Sequence, residues 1–531
     1  MSHASAEPEA PQVGVAEESP TARPLASAAQ AQTYWLARFA ILRLLGLIYF
    51  IAFVAFINQG IPLLGENGLL PVGSFLERVS QHFGSPWQAV LKLPTVFWLK
   101  HSDGFLLGVA WAGALLSLPV LLGLANAPML AILWLLYLSI HHIGQLWYSF
   151  GWESQLCETG FLAIFLCPLW DPRPFPERPP PVAVLWLFRW LIFRIMLGAG
   201  LIKLRGDPCW RDLTCLYYHY ETQPIPNPLS PLLHSLPRWF HQLGVLYNYL
   251  AELIAPFLLW APRKIRHVAG LVLTGLQFFL ILSGNLSFLN WLTLVPIVAC
   301  FDDGFLSRFV PQGWWQKFSR EHPQAVPAKS QRIAAAILTV GIAALSIEPV
   351  ANLLSSNQMM NTSYEPFELV NSYGAFGSVG QVRYEIIFEG TSAGVPAENA
   401  EWRPYEFKCK PGNPDRRPCF LSPYHLRLDW LIWFAAMSSP EQAPWTVHFV
   451  WKLLHNDRGA LSLLANDPFA KQPPRFVRAQ LYRYQFAPLR AGAWWTRTYV
   501  GPWLPPLSSD DPRLRRFLVG YGWLSPDAVP E

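Results

Sequence analysis

Charge is scarce in this 531-residue chain: Asp, Glu, Lys and Arg together make up 14% of it, against about a quarter in an ordinary soluble domain. The deficit lies in the first two-thirds, where apolar residues, 52% of the whole, gather in long runs. That excludes a string of soluble domains and points to an α-helical polytopic membrane protein. Basic residues are scattered between apolar segments and the net charge is only +5, so there is no nucleic-acid footprint. Also missing are a Walker-type loop, a G-x-S-x-G elbow, an H-E-x-x-H pair and a dinucleotide fingerprint. No basic region followed by a short apolar core and a cleavage site opens the chain. Residues 1–33, rich in Ala, Pro and Glu, read as a disordered tail, and the first helix then acts as its own insertion signal.

What is present is a series of apolar segments of membrane-spanning length, about 20 residues each. They fall at 37–57, 105–124, 128–148, 183–203, 267–283 and 333–351, with shorter ones at 156–170, 246–260 and 286–301. Residues 34–352 are therefore expected to form a transmembrane domain of about nine helices. Lys and Arg collect in short cytoplasmic loops. Here they mark three such loops: Arg173 and Arg178; Arg263, Lys264 and Arg266; and Arg308, Lys317, Arg320, Lys329 and Arg332. Nine crossings from a cytoplasmic N-terminus place 58–104, 204–243 and everything after about 352 on the outer side. Beyond that point short alternating runs such as "VRYEIIFEGT" predict strands. Residues 353–500 are expected to be a β-rich extramembrane domain with some helix near "LDWLIWFAAM", and 501–531 a tail.

Cysteine is sparse as well. Of seven, Cys157, Cys167 and Cys300 sit in apolar segments and read as small buried hydrophobes. Cys209, Cys215, Cys409 and Cys419 all fall on the predicted outer side, where disulfides are permitted. Each near pair closes a short loop, and spacing alone leaves exchange between the pairs open. Neither pair is a C-x-x-C and no His/Cys cluster accompanies them, so structural disulfides are expected and no metal site.

The stretch "GAGLIKLRGDPCWRDLTCLYYHYETQP" carries Lys203 at the end of an apolar helix, with Arg205 and Asp207 behind it. On the predicted topology His141, His142, Glu153, Glu158 and Glu252 share its depth, and Arg194 lies deeper. Ionisable groups in membrane segments are costly and normally face one another or a water-filled cavity. One polar cavity open to the outer side is therefore expected. In the alternative, Lys203 and Arg205 snorkel to head groups while the glutamates neutralise Arg194. Two sequons, Asn285-Leu-Ser287 and Asn361-Thr-Ser363, complete the inventory.

Several long blocks resemble the lipase maturation factor family: "QLWYSFGWESQLCETGFLAIFLCPLW", "FRWLIFRIMLGAGLIKLRGDPCWRDLTCLYYHYETQPIPNP", "SGNLSFLNWLTLVPIVACFDD", "NSYGAFGSV" and "YEFKCKPGNPDRRPCFLSPYHLRLDW". The resemblance implies a multi-pass protein which in vertebrates sits in the endoplasmic reticulum and helps secreted dimeric lipases reach their active fold. Its C-terminal domain would be lumenal and in contact with clients; in a bacterium the membrane would be the cytoplasmic one and the outer side the periplasm. It implies membrane lipid and secreted clients as partners and a folding aid rather than an enzyme; no cofactor is predicted. Aromatics such as Trp402, Tyr405, Trp494 and Trp495 would suit a client-binding surface. A shorter stretch, "AGLIKLRGDPCW", resembles the vitamin K-dependent γ-carboxylase type of membrane protein, and that likeness implies Lys203 as a catalytic base. With Lys203 in the polar cavity, Lys203→Ala is expected to spare expression and lower function.

Overall fold

A computed structural model describes residues 32–321, 326–525 and 527; the expected N-terminal tail lies almost wholly outside them. The apolar runs form helices because a helix satisfies its backbone polar groups within itself, as lipid requires. In order they are α1 (Trp35–Leu64), α2 (Asp103–Leu122), α3 (Ala127–Ile143), α4 (Gly151–Ile164), α5 (Val182–Arg205), α6 (Arg238–Tyr249), α7 (Arg263–Ser283), α8 (Leu289–Ile297) and α9 (Lys329–Leu345). The helical run from Lys329 continues to Leu354.

Of the about nine crossings expected, five are helices long and apolar enough to cross a membrane among the described residues: α1, α2, α5, α7 and Lys329–Leu354. The pair Leu289–Cys300 and Asp303–Phe309, bent by 109°, makes a sixth if it is one span. The other segments are helical but short or broken. The stretch expected at 128–148 stops at Ile143, because the chain turns through Gly144 and through Gln145 with φ 48°. The stretch at 246–260 is interrupted by a π-helical turn, Leu250–Ile254. α1 and α2 approach closely, as small residues allow between membrane helices. A Cβ on Gly46 would lie 2.6 Å from the backbone of Leu121, and one on Gly113 2.4 Å from the Phe53 ring.

The bundle has two unlike ends. At one, Asp303 caps α1 by accepting from the backbone N–H groups of Trp35 (2.9 Å) and Leu36 (2.8 Å). There too Arg189 donates to the Ala299 carbonyl (2.8 Å), Arg263 pairs with Asp302 (2.5 Å) and Arg38 reaches the carbonyl of Arg178 (3.0 Å). At the other end sits the C-terminal domain. Its short ribbon pairs β1 (Thr362–Ser363) with β2 (Asn371–Ser372). Its main sheet is antiparallel, in the order β4 (Arg403–Pro404), β3 (Arg383–Thr391), β5 (Phe476–Phe486), β6 (Trp495–Leu507). α10 (Arg427–Ala435) packs on β3 and α11 (Trp445–Leu454) on β5.

The tail expected from residue 501 carries regular elements instead as far as Gly520. β6 continues to Leu507, and α12 (Pro512–Gly520) buries Leu514 and Leu518. Their apolar side chains reach the same continuous hydrophobic cluster that contains Ile41 and Phe53 of α1. Of the four aromatics named for a client surface, Tyr405 and Trp495 are core, at 1% and 2% exposure, and Trp402 and Trp494 are half-buried.

Candidate functional site: the seam between bundle and outer domain

The residues expected to share one cavity are distributed along the seam, most of them in ion pairs or hydrogen bonds with the C-terminal part of the chain. Glu153, in the first turn of α4, accepts from Arg427 of α10 (2.8 Å), from the Trp152 indole (2.8 Å) and from the Tyr137 hydroxyl. Both charges are fully buried. The central carbon of the Arg427 guanidinium lies 3.2 Å from the centroid of the Tyr148 ring. Its backbone N–H and Nη1 donate to Gln59 Oε1 (2.9 Å) and to the Trp147 carbonyl (2.6 Å).

One helical turn deeper, Glu158 pairs with Arg194 of α5, at 1% exposure each. The outer domain completes both groups: the Asn371 carbonyl accepts from Arg194 (2.6 Å), while the Asn371 N–H (3.1 Å) and the Tyr373 hydroxyl (2.8 Å) donate to Glu158. His141 faces Glu368 at 3.3 Å, and His142 contacts the Pro94 carbonyl at 2.9 Å. Arg205 donates to Gln358 (2.7 Å) and the Leu353 carbonyl (2.9 Å). Asp207 accepts from the Cys209 N–H (2.9 Å), and its own N–H donates to the Gly377 carbonyl (2.9 Å). Arg383 of β3 reaches back to the carbonyls of Glu221 and Pro224, both at 2.9 Å.

Lys203 is held differently. Its ammonium donates to both oxygens of Glu252 (2.5 and 2.7 Å) and to Asn248 (3.2 Å), 5.0 Å from the centre of the Trp210 ring. A cation clamped by both oxygens of one carboxylate is an ion-pair partner. Lys203 and Glu252 line cavities at the seam; the other residues of the expected set line neither of the two cavities treated below.

Cys209 is disulfide-bonded to Cys215 and Cys409 to Cys419, with Cα separations of 4.8 and 5.6 Å. The first staples the loop after α5. The second closes a turn around Lys410, whose ammonium is buried against Glu385 at 2.7 Å. Among the described residues no group of three or more His, Cys, Asp or Glu side chains could hold a metal ion. The seam's outer half, with Gln59, Asn371, Tyr373 and Arg427, was not singled out from the sequence. The one signal available was Arg427, set with His425 and Asp429 among the apolar residues of "HLRLDWLIW".

The match to known proteins follows this two-part architecture. The family model for the lipase maturation factor transmembrane domain matches residues 36–308, and that for the lipase maturation factor C-terminal domain matches 369–505. The chain belongs to the lipase maturation factor family. It is 48% identical over 524 residues to lipase maturation factor 1 of Bos taurus, covering 94% of this chain and 93% of that one. It is 47% identical over 520 residues to lipase maturation factor 1 of Homo sapiens, covering 93% and 91%. Lipase maturation factor 2 of Gallus gallus is 31% identical over 596 residues, covering 89% and 82%. No solved structure matches. In this family member the segment between the two matched regions, 309–368, carries α9, β1 and Glu368, so it too joins bundle to outer domain.

Proposed function

We propose that this protein assists the maturation of secreted lipases from a membrane-embedded seat, with its C-terminal domain on the lumenal side of the endoplasmic reticulum or on the periplasmic side of a bacterial inner membrane. The observation that carries the reading is the near end-to-end match, at 48% identity, to a protein named lipase maturation factor 1. Sidedness rests on the arginines gathered at the end of the bundle opposite the outer domain, which is the pattern of cytoplasmic loops. α3, α4, the broken α6 segment and α8 run in the same bundle as the five long helices, and we read them as further crossings, nine in all.

The buried ion pairs hold the outer domain in one orientation on the bundle. A fixed platform can offer a folding client one surface without losing entropy to its own domain motion. The exposed outer strand β6 suits client contact, with Tyr499 and Val500 at 54% and 52% exposure. The test is to express the chain in cells lacking their own lipase maturation factor and to measure activity per mass of a secreted dimeric lipase. Full-length protein should restore it, and Tyr499→Asp with Val500→Asp should lower it several-fold at equal protein level. No restoration by the full chain would overturn the function; full restoration by the double variant would overturn the surface.

A further inference from the structure

Two cavities meet beside Lys203, and they differ in chemistry. The larger, about 330 Å³, is walled mainly by apolar side chains, among them Met196, Leu289, Trp430 and Phe434. That is the scale of a small-molecule site, about 300–1,000 Å³. The smaller, about 70 Å³, is lined by Lys203, His219, Tyr220 and Asn248. Glu252, Asn290, Ala375 and Phe376 border both, so the two volumes adjoin along a shared rim.

Two observations speak for an occupant. The Tyr220 hydroxyl is fully buried and, among the described residues, has no hydrogen-bond partner, an arrangement that costs stability unless something pairs it. The large chamber lies between α5, α7, α8 and the outer domain, and Met360 and Phe434, 45% and 42% exposed, are among its lining residues. An apolar chamber that ends in unpaired hydrogen-bonding capacity matches an amphiphile in shape and polarity.

Charge selects among amphiphiles. Lys203 is already neutralised by Glu252 in the small chamber, so a charged head group would bring an uncompensated buried charge. We propose that the paired chambers bind one uncharged single-chain membrane lipid, its acyl chain in the apolar chamber and its hydroxyl or ester-carbonyl head hydrogen-bonded to Tyr220 and Asn248. The proposal rests on the cavity and is independent of the lipase reading.

The experiment uses the full chain in phosphatidylcholine nanodiscs with a photoreactive monoacylglycerol as probe, crosslinks being mapped by peptide mass spectrometry. Labelling should saturate, map to the peptides holding Met196 and Trp430, and be competed by monooleoylglycerol but not by oleate at pH 8. Ala375→Phe, which crowds the rim where the chambers adjoin, should abolish it. Tyr220→Phe should weaken it about tenfold, as loss of one buried hydrogen bond does. Its melting temperature should not fall, because the deleted hydroxyl has no partner in the empty fold; that keeps the test valid should Ala375→Phe fail to fold. Label spread evenly over the lipid-facing helices, equal competition by oleate, or wild-type labelling of Tyr220→Phe would overturn the proposal.

Discussion

Lys203 shows how a single contact changes the meaning of a residue. Read alone, a lysine closing an apolar helix suggests either a snorkelling side chain or a base, and its removal looks harmless to folding. Paired with Glu252 at 2.5 Å and 5% side-chain exposure, it becomes the counter-charge of a buried carboxylate, and removing one partner of such a pair costs about 3–5 kcal/mol. Lys203→Ala should therefore lower the melting temperature of the detergent-solubilised protein, and Lys203→Met with Glu252→Gln should recover most of the loss. Equal stability of Lys203→Ala and wild type would refute the ion-pair account. In the outer domain His448 touches the Leu69 carbonyl at 2.8 Å, and burial pushes its pKa down to about 4 from 6.5. The folded state thus keeps His448 neutral while the unfolded chain protonates it below 6.5, so this stability is complete above pH 6.5 and is lost as pH falls toward 4. At ~1.4 kcal/mol per pKa unit the loss approaches ~3 kcal/mol. His425, which burial holds well below its ordinary pKa, acts in the same direction. Thermal unfolding at pH 7 and pH 5 should show a drop that His448→Gln makes smaller; an identical drop in the variant would assign the acid sensitivity elsewhere.

At the scale of elements, the sequence was most legible where one physical rule dominates. Long apolar runs became α1, α2, α5 and α7 because lipid demands an internally bonded backbone. "VRYEIIFEGT" became β3, and both disulfides formed between the nearer cysteines. The short elements were less legible. α3 ends early at Gly144, a π-helical turn breaks the 246–260 segment, and α12 occupies what composition alone marks as a tail. α12 is amphipathic, and its burial depends on a core contributed by distant residues. A chain ending at Ser508 loses the burial of Leu514 and Leu518, roughly 1.5–3 kcal/mol each, and the Trp523 ring stacked 4.8 Å from His448. Its outer domain should melt several degrees lower by tryptophan fluorescence; unchanged melting would show that α12 is dispensable to the fold.

At the scale of the whole molecule, bundle and outer domain share one hydrophobic cluster and are tied by buried ion pairs, so they are not separable modules. Arg427 is the counter-charge of Glu153, and Asn371 with Tyr373 completes the coordination of Glu158. A chain ending at residue 355 leaves Glu153 without its cation in a surface built to be covered. Size-exclusion chromatography of a fluorescent fusion should show that truncation aggregated or absent. A monodisperse peak at full yield would mean that the bundle folds alone and that the seam is a mere contact. Loss of lipase maturation on such a truncation would therefore report lost folding as much as lost client binding, which is why exposed positions on β6 give the cleaner test.

The sequence by itself determined the solvent in which this chain lives, the order of bundle and outer domain, the redox character of its cysteines and its family. The family follows from the likeness of long blocks of sequence, and the others from composition, run length or local spacing, which are properties of neighbouring residues. Only the tertiary structure decided what the membrane-depth charges do. Glu153 and Arg427 are 274 residues apart, and Arg194 and Asn371 are 177 apart. Local pattern records that a buried charge needs a partner, but the partner is chosen by which distant surfaces the packing brings together.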